Sequence, residues 1–210
     1  MIPEFAELGD SLDIELVVVS YLLHGLAWFK AKELVTSTRR FEVDSANLSR
    51  EFINATSEKD GNWEQGSRRM QIAWDAIALH TMETIAPWKE REVALVHFGV
   101  HGDLPNLHLL GLPEDLPDLN GVITEEEFKE ISNAFPRMHF ADEFKEIFCG
   151  LCRDEGRYSF DSNVEKYGFE WGYDGEGNGA EEFKKLVEDA QRAKSLYGVM
   201  SAIDKLLDEA

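Results

Sequence analysis

Along this chain apolar residues recur at three- and four-residue intervals, the spacing that lays them on one face of an α-helix. No run of strict apolar–polar alternation marks a β-strand, so the pattern predicts an all-α bundle. In a first long helix Leu16, Ser20, Leu23, His24 and Ala27 share a face, and "NLSREFI" marks a second. The most regular segment is "SRRMQIAWDAIALHTMETI", where Met70, Ala73, Trp74, Ile77 and His80 keep the i, i+3, i+4, i+7 rhythm. That phase directs His80 inward. A further helix, "EREVALVHFGVHGDL", follows Pro87 and carries Gly99 and Gly102, which loosen it or end it near Asp103. "ITEEEFKEISNAF" opens on a capping pair, Thr124 with Glu127 three residues later.

Between the helices, "GLPEDLPDLNG" is a proline-rich turn region, and the stretch from "RDEGRYSF" to "GYDGEGNGA" reads as irregular. The chain closes on a long amphipathic helix whose stripe is Phe183, Leu186, Val187, Ala190, Met200, Ile203 and Leu207. No repeat or second domain is visible. The organisation expected is one domain over residues 1–210, with a core at about 12–170 and a C-terminal helical extension at about 179–210.

Length and charge narrow the functional classes. A 210-residue domain buries roughly 70% of the surface its unfolded chain exposes, enough to shape a hydrophobic pocket. The 41 acidic against 21 basic side chains give a formal charge of -20, which repels phosphate backbones and anionic membrane surfaces. Neither nucleic acid nor a membrane is an expected partner. Leu16 to Trp28, the most apolar stretch, is shorter than the roughly 20 residues that span a bilayer, and acids precede it, so neither signal peptide nor anchor is read. Cys149 and Cys152 in "FCGLC" suit one face of a helix and, without a βαβ pattern around them, read as buried thiols. Reduced cysteines and no targeting segment indicate a cytoplasmic protein.

The histidines carry most of the chemical information, because a buried imidazole requires a hydrogen-bond partner and can hold a metal or a proton near neutral pH. His97 and His101 are one helical turn apart, with Asp103 directly after. His24 and His80 each read either as site residues or as satisfied core histidines. "DGEGNGAEEFKK" imitates a calcium loop at Asp174, Glu176, Asn178 and Gly179, yet Lys185 stands where a bidentate glutamate is needed. The aromatics Trp28, Phe29, Trp63, Trp74, Trp88, Phe98 and Phe135 line an apolar pocket or simply pack the core.

Six blocks occur in a telling order: "SYLLHGLAW", "TRRFEVDSAN", "AWDAIALHT", "EVALVHFGVHGDLPN", "AFPRMHF" and "FCGLC". Together they resemble the HD-domain proteins related to cyanamide hydratase, over about residues 12–170. The resemblance implies an all-helical HD-like fold in which an early histidine, a His-Asp doublet and a late aspartate hold a metal that activates water. His24 matches the doublet histidine and Asp103 the late aspartate. Gly25 replaces the doublet aspartate, and no histidine precedes His24 to serve as the early ligand.

A degenerate HD site of this kind implies an enzyme without the usual metal or any other cofactor. The expected chemistry is cyclisation, isomerisation or elimination of an apolar small molecule, such as a natural-product intermediate, in a pocket bearing His24, Glu42, His80, His101 and Asp103. In that scheme His24 or His80 donates a hydrogen bond or proton, Asp103 or Glu42 accepts one, and Arg40 orients Glu42. Two alternatives stay open: a metal site rebuilt from His80, His97 or His101 for hydration or hydrolysis, and a non-catalytic binder of a metabolite or protein. The C-terminal helix packs on the bundle or joins a homodimer.

Overall fold

A computed structural model describes residues 12–28, 36–57, 63–102, 125–136, 138–156, 159, 164–193 and 195–208. All regular structure among them is helical, and no described helix is long and apolar enough to cross a membrane. The helices are α1 (Ile14–Leu23), α2 (Phe41–Thr56), α3 (Arg68–Ala78), α4 (Arg91–Gly102), α5 (Glu125–Ala134), α6 (Phe140–Glu155), α7 (Val164–Trp171), α8 (Ala180–Ala193) and α9 (Leu196–Asp208). Short 3-10 turns, Leu26–Trp28 and Ala86–Trp88, follow α1 and precede α4. Where the sequence shows no second domain, the helices gather into two compact units, one of residues 1–35 and 41–138 and one of residues 36–40 and 139–210.

In the first unit α3 packs against α1, α2 and α4, while α4 also packs on α1. The apolar stripe of α3 supplies the reason: Met70, Ala73, Ala76 and Ile77 are fully buried. Met70 and Ala73 meet Leu16, Ile53 and Trp63, whereas Ala76 meets Ala86, Val93 and Val96. The small residues at 73 and 76 let neighbouring helices approach closely. Both helix starts are capped by side chains, Asp13 accepting from Leu16 N at 3.0 Å and Ser67 from Met70 N at 3.1 Å.

Two helices are shorter than their periodicity predicts, and a histidine closes each. The first stops at Leu23, where His24 Nδ1 lies 2.6 Å from the Tyr21 carbonyl oxygen. The "SRRMQ" helix stops at Ala78, where His80 Nδ1 lies 2.7 Å from Ile77 O. A continuing helix would give each of those carbonyls to the backbone N–H four residues on. An imidazole N–H takes that place instead and satisfies a group the helix end would leave orphaned.

The second unit is built on α6, α7 and α8, with α7 packed against both others. Phe148 of α6 stacks on Tyr167 of α7 and Phe144 meets the same ring edge-on, and Phe183 and Val187 of α8 are fully buried. Cys149 and Cys152 are buried free thiols on α6. The α7 segment overturns the irregular reading of that stretch. Its Gly168 lowers helix propensity but permits close packing, since a Cβ there would sit 2.4 Å from the Phe183 ring and 2.8 Å from Cys152 Sγ. The predicted single C-terminal helix is two, because Ser195 restarts the chain as a cap, its Oγ accepting from Gly198 N at 3.3 Å. With α8 packed on α7, the boundary near residue 179 does not separate a core from an extension.

Candidate functional site

The first unit brings four histidines from three places in the chain into two ring pairs. His24, the C-cap of α1, stands edge-to-face on His80, just past α3, with ring centroids 4.9 Å apart. His97 and His101, a turn apart on α4, have centroids 4.3 Å apart. The pairs are tied together by His97 Nδ1, 2.7 Å from the backbone carbonyl oxygen of His80. His101 Nδ1 lies 2.8 Å from His97 O.

Aromatic and polar groups frame this centre. Trp28 and Tyr21 flank His24, and Phe41 meets both Trp28 and His80. Ala27 N donates to Ser45 Oγ at 3.0 Å, fixing the turn after His24 against α2. Glu42, in the first turn of α2, is buried, and its Oε1 accepts a 2.6 Å hydrogen bond from Thr81, the residue after His80. Tyr21 reaches α4 at Gly99, where an added Cβ would sit 3.2 Å from its ring. Gly99 therefore does not break α4; it gives α1 room to approach. The described part of the helix runs to Gly102.

A carbonyl oxygen only accepts, so each of the four Nδ1 atoms carries the hydrogen. Each neutral imidazole accordingly keeps its lone pair on Nε2. Burial reinforces the neutral state. At 1% exposed, His80 is pushed down to about 3, first by desolvation and then by the neighbouring His24, and its hydrogen bond to Ile77 does not offset them. His97 is pushed down to about 4 by desolvation and by His101.

Of the five site residues named from sequence, His24, Glu42, His80 and His101 belong to the first unit, with the two histidine pairs and the Glu42–Thr81 bond joining its helices. Asp103 lies outside the described residues, as does Thr124 of the predicted cap. In His24 and in His80 the Nδ1 hydrogen is given to a main-chain carbonyl. Arg40 falls in the 36–40 segment grouped with the second unit. Among the described residues no three His, Cys, Asp or Glu side chains are arranged to hold a metal ion.

The seven aromatics do not line one pocket together: Trp88 is 83% and Phe135 76% exposed, Trp63 packs beside Arg69, and Phe29 is outside the described residues. The calcium-like loop satisfies itself, with Asp174 accepting from Glu176 N, Asn178 N and Asn178 Nδ2. Sequence reasoning gave His97 as a partner of His101 and as a candidate ligand of a rebuilt metal site, and the structure adds that it links the two pairs; its burial phase with Val93 and Val96 was the available signal. Thr81 was missed, because nothing local marks a threonine as the partner of an acid 39 residues earlier. Comparisons with known protein families, with curated proteins and with solved structures return no match.

Proposed function

We propose that this chain is an enzyme of small-molecule metabolism, a cyclase, isomerase or lyase derived from an HD-like fold and working at the histidine centre without the usual HD metal. The observation that carries this reading is the set of four neighbouring imidazoles with fixed tautomers, two of them held neutral in a buried setting. Clustering of perturbed titratable groups favours a working site over a packing role. Such reactions require a substrate held in its reactive shape and a proton moved over a short path. His80 and His97 are poor bases at their depressed values and serve to position the substrate; His24 and His101, only partly buried, are placed to carry the proton.

The test is incubation of the purified chain with pools of small metabolites, followed by NMR, which detects isomers of unchanged mass. Replacement of His24, His80 or His101 by Gln is expected to lower turnover by about a hundredfold or more. Wild-type turnover in all three variants overturns the reading. A second reading, a rebuilt metal site for hydration or hydrolysis, draws on the same tautomers, since metal-binding histidines commonly give their other N–H to a backbone carbonyl. Elemental mass spectrometry of untagged protein purified without chelator tests it, and near-stoichiometric iron, zinc or manganese would put hydration or hydrolysis first.

A further inference from the structure

We infer that the histidine centre takes a small molecule presenting hydrogen-bond donors, an amine, amidine, primary amide or alcohol, rather than an anion or a bare carbonyl acceptor. The inference rests on the proposed site and specifies what that site recognises. In each of the four imidazoles Nδ1 faces a main-chain carbonyl at 2.6–2.8 Å. A carbonyl cannot donate, so the hydrogen sits on Nδ1, and in His80, His97 and His101 the other ring nitrogen offers a lone pair.

Among the described residues no group hydrogen-bonds to Nε2 of His80, His97 or His101. His80 and His97 are only 1% and 2% exposed, and buried polar atoms nearly always have partners. Among the described residues these three ring nitrogens of one centre therefore meet no donor, and a bound N–H or O–H group would satisfy them. The hydroxyl nearest in sequence, that of Thr81, already gives its hydrogen to Glu42. Ser20 Oγ, one turn before His24 on α1 and fully buried, has no hydrogen-bond partner either. Lone pairs repel an incoming carboxylate, phosphate or carbonyl oxygen, and an N–H or O–H group satisfies them.

Long-range proton–nitrogen NMR on the nitrogen-15-labelled full chain reads both tautomer and occupancy. The donor probes are methylammonium and formamidinium; the controls, at matched ionic strength, are acetone, acetate and zinc ion. Expected are Nδ1–H tautomers for His80, His97 and His101, with Nε2 resonances that shift saturably with the donor probes and stay put with acetone and acetate. His101→Ala, at a partly buried position, is expected to weaken donor binding about tenfold or more. Nε2–H tautomers, an equal response to acetone or acetate, or a response to zinc alone would each overturn the inference. Turnover is read separately. Donor binding without turnover in any pool removes the enzyme reading and leaves the ligand class standing; turnover lost in His101→Gln without any donor response removes the ligand class instead.

Discussion

His80 shows at the scale of one residue how competing effects resolve. Its place after a helix C-terminus and its hydrogen bond to Ile77 both favour the charged ring, yet desolvation at 1% exposure is larger and the ring stays neutral. Above about pH 6.5 neither the folded nor the unfolded chain binds a proton at His80 or His97, and the full stability is present. As pH falls below that value the unfolded chain takes up protons the folded chain refuses. Stability then drops by up to about 1.4 kcal/mol per pH unit for each such histidine, until the folded rings titrate near 4 and 3. Urea midpoints taken from pH 7.5 down to about pH 5.5 should fall, and His80→Gln should make the slope shallower. An unchanged slope in that variant would assign the drop to His97 or to other groups.

Arg69 is the other residue with a defined load. Its guanidinium hydrogen-bonds to both carboxylate oxygens of Asp13, the cap of α1, and lies 3.9 Å over the Trp63 ring. The hydrogen bond from Arg69 holds the Asp13 carboxyl below its ordinary range. Arg69→Ala should cost about 1–3 kcal/mol through the loss of this pairing and stacking. Denaturant unfolding measures it, and a change below about 0.5 kcal/mol, the ordinary surface value, would show that the clamp is idle.

Glycines decide more than propensity alone at the scale of elements. Gly25, where the HD resemblance expects aspartate, is not demanded by its backbone: an added Cβ would meet the Trp28 ring at 3.5 Å or more, an ordinary contact. Gly25→Ala is therefore expected to keep the fold and raise stability by about 0.4–1 kcal/mol, chiefly by restricting the unfolded chain. A large loss of thermal stability would mean the turn after His24 is tighter than its contacts indicate. Gly168→Ala should do the opposite. Its Cβ would overlap Phe183 and Cys152, and a cost of about 1–3 kcal/mol or more is expected in unfolding followed by the tryptophan in α7.

Charge acts over the whole molecule. With a formal net charge of -20, mutual repulsion among surface acids opposes the compact state and is screened by salt. Raising sodium chloride from about 0.05 M to about 0.5 M should raise the thermal midpoint, as the screening length shortens several-fold. A flat response would show that acids are offset locally, as Asp13 is by Arg69 and Asp75 by Lys89.

Helical class, the inward phase of His80 and the burial of both cysteines all follow from local rules of period and propensity, and so were legible in the sequence. The early ends of α1 and α3 were not, because a side chain takes the carbonyl that would have continued each helix. Helix α7 was hidden for a related reason: Gly168 reads locally as a breaker, and its use appears only when Phe183 packs over it.

The sequence by itself determined which residues face inward, since a helix repeats every 3.6 residues whatever surrounds it. Only the tertiary structure decided that His24 meets His80, 56 positions later, and that His97 gives its Nδ1 hydrogen to the His80 carbonyl. Those contacts depend on how α1, α3 and α4 pack against one another, and no local pattern encodes the relation between distant faces. The resulting contacts place the hydrogen of each of the four rings on Nδ1.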